Sequence, residues 1–242
     1  MSPLALAWQQ FRFERRLFWR NPSAAFFNFA LPLLFLVLIA SAFGSDDDEL
    51  DILLPGIAGM SVLATTFTAL AFGLTVLRED GILKRIRGTP IPTWSYLTGL
   101  LASAVLNAFL QVVLIVLIGH LVYGVAWPVD PPLLLAFTVL GVACFASLGV
   151  AFSHAIPNED AAPAYTNAVF LPLIFISGVF YSEDDLPAVL RAIADALPLK
   201  HLIDGLSQAI VGGGGDAGTA AAVVGAWALA GILLAVRFFR WE

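Results

Sequence analysis

The sequence predicts an all-α, polytopic membrane protein with six transmembrane helices. Of its 242 residues, 60% are hydrophobic and only 12% are charged, and the mean hydropathy is +0.89. That charged fraction is about half the value usual for soluble proteins. The charged residues are also gathered into short clusters between apolar runs long enough to cross a bilayer. A soluble domain of this length could not bury so much apolar surface, so that class is excluded.

The N-terminal segment, residues 1–23, is expected to contain an amphipathic helix over 3–20. Trp8 and Phe11 lie near one predicted face with other apolar side chains, whereas most of the arginines lie on the other face. Arg15 falls on the apolar side and makes the pattern imperfect. Such a helix is typical of a segment that lies in the membrane interface, and an ordinary juxtamembrane tail is the alternative.

Polar residues inside the predicted spans are expected to face neighbouring helices, because hydrocarbon offers them no hydrogen-bond partner. Asn107 and Gln111, one turn apart on the third span, are expected to bond across to another helix. The alternative is that they line a substrate path, and Asn28 and Thr65 are assigned to the same class. The six spans are expected at 24–43, 52–77, 96–122, 133–152, 165–181 and 219–236.

The charges of the loops set the orientation of these spans. The run 44–51 contains five acidic residues and no basic one, which places it outside. With both termini inside, the outer segments carry twelve acids and two bases, and the inner segments carry six acids and ten bases. Because basic residues concentrate on the cytoplasmic side of membrane proteins, we expect both termini in the cytoplasm and the chain in the cell membrane.

The segment 182–215 is too long for a turn and not apolar enough to span a membrane. Apolar residues recur at helical spacing on both sides of Pro198. This pattern predicts two short extracellular helices that reach the edge of the membrane. The glycine run at 212–215 is expected to end the second helix.

The loop at 78–96, between the second and third spans, is expected to form a short cytoplasmic helix. Glu79 and Asp80 are expected to open this helix, because carboxylates suit a helix N-terminus. Thr89 and Pro90 are expected to end it, since the residue before a proline is pushed out of the helical region. The helix is basic, with Arg78, Lys84, Arg85 and Arg87 in or beside it.

No catalytic or metal site is expected. The three histidines lie far apart in the sequence, and no carboxylate is placed inside a predicted span. His154, Glu159 and Asp160 share one loop, where a solvated turn is preferred to a metal site. The phosphate-binding pattern G-x-x-x-x-G-K-[ST] does not occur in the sequence, so no nucleotide-binding loop of that type is expected in this chain.

Two segments carry a family pattern. In residues 170–213 a proline within the fifth span is followed by a Ser-Gly pair, an aromatic residue, Leu-Pro and a further proline. In residues 78–99 an Arg-Glu pair and a glycine precede a basic cluster and Thr-Pro. Both segments resemble the ABC-2 type permeases, the membrane subunits of bacterial and archaeal ABC exporters, although Ser182 stands where that family often has a proline. The signature positions are filled by Pro172, Ser177, Gly178, Phe180, Leu186, Pro187 and Pro198.

The resemblance implies a single ABC-2 transmembrane domain over 1–242, with 1–23 as its elbow helix. It also implies a second permease chain, identical or different, and two ATP-binding subunits that hold ATP and Mg²⁺, with no cofactor in this chain and no nucleic acid partner. The cargo would be a drug, a lipid or a glycan-like compound moved outward. Contact with the ATP-binding subunit would involve Arg78, Glu79, Asp80, Gly81, Lys84, Arg85, Arg87, Thr89 and Pro90.

Three alternatives stay open. The basic residues of the 78–96 loop could serve only to set the topology, or could contact lipid headgroups. A polytopic membrane enzyme would need a nucleophile, an acid–base pair or a metal cluster at membrane depth, and the sequence offers none. A regulatory membrane partner that transports nothing would have the same sequence features.

Overall fold

The computed structural model describes residues 3–43, 47–88, 92–180 and 187–238. These residues form helices joined by short connections, and no strand occurs among them. One five-residue π-helical segment, Ala64–Thr68, interrupts the α-helices. The α-helices are α1 (Pro3–Arg20), α2 (Pro22–Phe43), α3 (Asp47–Leu63), α4 (Ala69–Glu79), α5 (Ile82–Arg87), α6 (Thr93–Tyr123), α7 (Pro131–Phe152), α8 (Ala162–Ile176), α9 (Ala188–Ala194), α10 (Pro198–Val211) and α11 (Ala217–Phe238).

Four helical segments of the described chain are long and apolar enough to cross a membrane. One of them, Glu49–Glu79, is a 31-residue span made of α3, the π-helical segment and α4. The others are Thr98–Tyr123, Pro131–Phe152 and Ala217–Arg237. They correspond to the predicted second, third, fourth and sixth spans.

The predicted six spans are not confirmed. A fifth span results only if α1 and α2, which are bent by 72° relative to each other, are counted together. The apolar helix α8 has 15 residues. At about 1.5 Å per residue it is about 22 Å long, which is less than the roughly 30 Å of a hydrocarbon core.

The π-helical segment packs directly against α7. A Cβ atom added to Gly149 of α7 would lie 2.7 Å from the carbonyl oxygen of Phe67, so only glycine lets the two backbones approach this closely. The hydroxyls of Thr65 and Thr66 donate within their own helix, to Ser61 O at 2.7 Å and to Val62 O at 2.6 Å. The hydroxyl groups of these threonines therefore have hydrogen-bond partners in their own helix and need none from another helix. Segments of this kind are frequent at functional sites.

Helix α10 lies in the interior, packed against α3, α7 and α11. Leu199, Leu202 and Leu206 are completely buried. Two glycines make room for it: a Cβ on Gly59 would lie 2.7 Å from Ile203, and one on Gly141 would lie 2.7 Å from Leu202. The predicted pair of helices split at Pro198 is confirmed as secondary structure. The second helix is much more deeply buried than the sequence suggested.

A hydrogen-bonded turn joins α9 to α10. Lys200 Nζ donates to Asp195 Oδ1 at 2.5 Å, which holds the pKa of that carboxyl below its usual value. A ring nitrogen of His201 is 2.9 Å from the carbonyl oxygen of Asp195. Trp227 Nε1 of α11 donates to Ala196 O at 2.9 Å. The turn is thereby fixed to both α10 and α11.

Helix α1 lies against the first part of α6. A Cβ on Gly99 of α6 would lie 2.6 Å from Gln10 Cβ and 2.8 Å from Ala7 O, so the two helices are almost in backbone contact. The helix predicted over 3–20 has the predicted extent.

Candidate coupling site

A sharp turn separates α4 from α5. Asp80 is the C-terminal cap of α4, and Gly81 has φ +68° and ψ +13°, in the left-handed region that glycine adopts easily. The N–H of Gly81 donates to Arg78 O at 3.1 Å. Glu79 and Asp80 therefore lie at the end of α4 and do not open α5. The predicted helix start was wrong, because the glycine turn comes between the acidic residues and the basic helix.

Arg78 joins the end of α4 to the connection between α7 and α8. Its Nη1 donates to Ser153 O at 3.0 Å, and its Nη2 donates to Ile156 O at 2.6 Å. Ser153 is the C-terminal cap of α7. A guanidinium group at this position satisfies a carbonyl group at the end of α7, and its charge is favourable at the negative end of the helix dipole.

The connection between α7 and α8 is docked onto α4. A carboxylate oxygen of Glu79 accepts a hydrogen bond from the backbone N–H of Glu159. Ile156 is buried and packs with Ala71 of α4 and Ala162 of α8. The sequence predicted only a solvated turn here. The structure shows that two adjacent residues of α4 hold this connection in place.

Helix α5 presents charged side chains on its outer face. Leu83 is buried in the core, whereas Lys84 and Arg85 are exposed. Glu79 and Asp80 at the end of α4 are exposed as well. The surface of the turn therefore offers two acidic and two basic side chains. The side chain of Arg87, and Thr89 and Pro90 altogether, lie outside the described residues.

Gly81 is expected to control the direction of α5. A Cβ there would meet no atom within 4 Å, so a substitution costs conformational energy, about 1–2 kcal/mol, and not packing. Gly81→Val is expected to raise the rate of trypsin cleavage after Lys84 and Arg85, because the turn can no longer hold α5. Gly81→Asn is the matched control, since asparagine tolerates this conformation. Equal cleavage rates in both variants and the wild type would show that the turn does not need the left-handed conformation at position 81.

Two amide side chains of α6 make the cross-helix hydrogen bonds expected of them. Arg15 of α1 donates from Nη1 to Asn107 Oδ1. Gln111 Nε2 donates to Asn28 O of α2 at 2.8 Å. The position of Arg15 on the apolar side of α1 is explained by this bond. That irregularity was the sequence signal for the contact, although its partner could not be identified from the sequence.

Two buried amide oxygens of this region have no hydrogen-bond partner among the described residues. They are Asn28 Oδ1 and Gln111 Oε1. Thr65 lies at the wall of a cavity that Asn107 also lines. That these four residues face a substrate path stays a prediction.

The family-signature residues of the fifth predicted span form a close contact with α3. Gly178, with φ +70°, turns the chain after α8. The turn brings the backbone of Val179 onto Gly56 of α3, where an added Cβ would lie 2.0 Å from Val179 O. The ring of Phe180 is then 6.1 Å from that of Phe35 of α2, measured between centroids. The signature glycine thus turns the chain so that the backbone of Val179 contacts the backbone of α3 at Gly56.

The remaining signature residues shape helices. Pro172 lies inside α8. Pro187 is the N-terminal cap of α9, and Pro198 is in the first turn of α10, a position that suits proline because it has no N–H to satisfy. Ser177 is buried, and its hydroxyl has no partner among the described residues. Leu186 lies outside the described residues.

No metal site is found in the described part of the chain, where no group of three or more His, Cys, Asp and Glu side chains could hold an ion.

Comparison with known proteins identifies the relatives of the chain. YbhS of Escherichia coli K12, a probable multidrug ABC transporter permease, is 27% identical over 166 residues, covering 66% of this chain and 43% of that protein. DrrB1 of Streptomyces coeruleorubidus, a daunorubicin resistance ABC transporter permease protein, is 27% identical over 186 residues, covering 71% and 62%. LnrN of Bacillus subtilis, a linearmycin resistance permease protein, is 23% identical over 180 residues, covering 74% and 45%.

The matched region is less than two thirds of the length of each of these three proteins. The family profile of the ABC-2 type transporters matches residues 4–211, which is most of the chain. That region includes the turn between α4 and α5, all the named signature positions and three of the four spans found by length and composition. The chain is therefore a multi-pass membrane protein of the ABC-2 type transporter family.

Proposed function

We propose that the chain is the permease subunit of an ATP-driven exporter, which moves a hydrophobic or amphipathic compound outward across the cell membrane. ATP would be hydrolysed by a separate ATP-binding subunit. The observation that carries the proposal is the turn between α4 and α5. It resembles the coupling segment of the family, exposes charged side chains, and is bonded directly to the α7–α8 connection.

The partner would bind the exposed side of this turn. Glu79, Asp80, Lys84 and Arg85 are exposed there and could form charge pairs with the ATP-binding subunit. Arg78 is directed at carbonyl groups of its own chain. Its proposed part in coupling is therefore to connect the turn to the rest of the permease. Arg87, Thr89 and Pro90 keep their assignment as contact residues on the strength of the family pattern alone.

The proposed mechanism is a rigid-body motion of the turn. Closure of the ATP-binding subunits would move α5 together with the end of α4. Because Arg78 and Glu79 bond to the α7–α8 connection, α7 and α8 would move with them. Any such switch requires that the partner bind the two states of the permease with different affinity.

The proposed topology has six spans, with both termini in the cytoplasm and α9 and α10 at the outer side. Helices α2 and α8 would complete the six. Both helices carry exposed apolar side chains, among them Phe26 and Phe27 on α2 and Leu171 and Phe175 on α8. Lipid or a second permease chain, identical or different, would cover them.

The proposed cargo class comes from the relatives. YbhS is described as a probable multidrug permease, and DrrB1 and LnrN are named for resistance to daunorubicin and linearmycin. A drug-like compound is therefore the first choice, ahead of a lipid or a glycan-like compound.

Co-purification tests the proposal. The tagged chain, extracted from its own membranes in mild detergent, is expected to bring down an ATP-binding subunit that mass spectrometry identifies. The double variant Asp80→Ala, Arg85→Ala is expected to lose most of it while remaining monodisperse. The control is Val189→Ala, at an exposed position on α9. A folded wild-type chain that recovers no ATP-binding subunit would contradict the proposal.

A further inference from the structure

A cavity of about 530 Å³ lies between α1, the π-helical segment, α4 and α6. Its volume is within the range of roughly 300–1,000 Å³ that is usual for small-molecule sites. Most of its wall is apolar, contributed by α4 and the first half of α6. The polar lining residues include Glu14 of α1, Asn21 directly after α1, and Asn107 of α6.

Glu14 gives this cavity its charge. Among the described residues that line the cavity, it alone has an ionisable side chain. Its carboxylate accepts a hydrogen bond from Gln10 Nε2 at 2.7 Å, and the residue is half-buried. No ion pair joins it to a cation in the described part of the chain. A carboxylate beside an apolar wall is costly unless a positive charge pairs with it.

The neighbouring arginine does not supply that charge. Arg15 donates to Asn107 Oδ1, and its guanidinium carbon lies 5.4 Å from the ring centroid of Phe18 and 5.7 Å from that of Trp19. It is engaged with α6 and with these aromatic rings, and it is not among the lining residues. The carboxylate of Glu14 is therefore available to a ligand.

We infer that this cavity binds a hydrophobic organic cation, with its apolar body between α4 and α6 and its positive charge against Glu14. The match is one of charge and of surface: a single carboxylate at the edge of an apolar space complements a single positive charge on an apolar body. The inference concerns binding by this chain, and it holds whether or not the chain exports what it binds.

Two glycines allow a matched test of the cavity. Gly73 lines it, and a Cβ there would meet no atom within 4 Å, so a larger side chain would extend into open space. Gly225 of α11 is equally open but is not among the residues that line the cavity. Gly73→Phe should fill the cavity, and Gly225→Phe adds the same ring to another helix.

The experiment measures binding of radiolabelled tetraphenylphosphonium by equilibrium dialysis. It uses the full-length chain, purified in detergent with any subunits that accompany it, and each variant is first checked for a monodisperse profile. Saturable binding is expected for the wild type and for Gly225→Phe. Gly73→Phe is expected to abolish it, and Glu14→Gln to weaken it about tenfold or more. Triphenylphosphine oxide, a neutral probe, is expected to be insensitive to Glu14→Gln.

Three results would overturn the inference. The first is a monodisperse wild type without saturable binding of the cation. The second is binding that neither Gly73→Phe nor Glu14→Gln changes. The third is that Glu14→Gln weakens binding of the cationic and the neutral probe equally. Glu14 would then act through the shape of the cavity and not through its charge. If Gly73→Phe does not fold, the comparison of the two probes in Glu14→Gln decides alone.

Discussion

Arg78→Met is expected to detach the α7–α8 connection from α4 and to abolish coupled ATPase activity in the assembled complex. The substitution keeps much of the aliphatic length of the side chain but removes the donors to Ser153 O and Ile156 O. Hydrogen bonds to a charged group contribute about 1.5–3 kcal/mol each, and the site is partly exposed, so we expect a total loss of about 2 kcal/mol. The measurement is the apparent unfolding temperature of the purified chain, with ATPase activity measured on the complex.

Arg85→Met is the matched control for this prediction. Arg85 is exposed on α5, the helix that follows the same turn. Its loss is expected to leave the unfolding temperature unchanged and to reduce only the recovery of the ATP-binding subunit. The two variants should therefore separate a contact inside the permease from a contact with its partner. Equal unfolding temperatures for Arg78→Met and the wild type would show that the hydrogen bonds of Arg78 do not hold the junction.

Gly56→Ala is expected to be the most destabilising single-methyl change in α3. The added Cβ would lie 2.0 Å from Val179 O and 2.8 Å from Val179 C, both backbone atoms that cannot rotate away. The turn at Gly178 would have to shift, and with it the contact between Val179 and α3. Overpacking of this kind costs about 1–3 kcal/mol or more, and we expect the upper end. The measurement is the half-life of the detergent-purified chain at a fixed elevated temperature.

Gly225→Ala provides the control for that prediction. Gly225 also lies within a long apolar helix, but an added Cβ there meets no atom within 4 Å. Alanine favours a helix over glycine by roughly 1 kcal/mol, so this variant should be at least as stable as the wild type. If Gly56→Ala were as long-lived as Gly225→Ala, the close contact between Gly56 and Val179 would not exist in the folded protein.

The positions of the helices could be predicted from the sequence because apolar runs and prolines mark them. The amphipathic helix over 3–20, the long spans and the break at Pro198 all follow from such signals. The depth of α10 could not be predicted, because it depends on which glycines of other helices face it. Gly59 and Gly141 lie far from α10 in the sequence, and nothing local shows that they make room for its leucines.

The turn between α4 and α5 shows a different limit of prediction from sequence. Its charged residues and its glycine were found in the sequence, but the acidic residues were assigned to the wrong helix. The acceptors of Arg78 are backbone carbonyl groups of Ser153 and Ile156, which every residue possesses. A side-chain pattern cannot reveal such a partner. In contrast, Arg15 stood out on the apolar side of its helix, and the structure gives the reason in its bond to Asn107.

The π-helical segment could not be predicted either. Its sequence, Ala-Thr-Thr-Phe-Thr, is compatible with an ordinary α-helix. The wider turn coincides with the close approach of Gly149 to the backbone of Phe67, which is a tertiary contact.

The central claim is that the turn between α4 and α5 contacts an ATP-binding subunit, and a crosslink from position 85 tests it most directly. The sequence has one cysteine, Cys144, which is buried. Arg85→Cys therefore adds a single exposed thiol, and Val189→Cys on α9 provides the control at the proposed outer side. A maleimide photocrosslinker attached in native membranes should join position 85, and not position 189, to an ATP-binding subunit. An ATP-binding subunit that co-purifies with the chain but crosslinks only from position 189 would contradict the account.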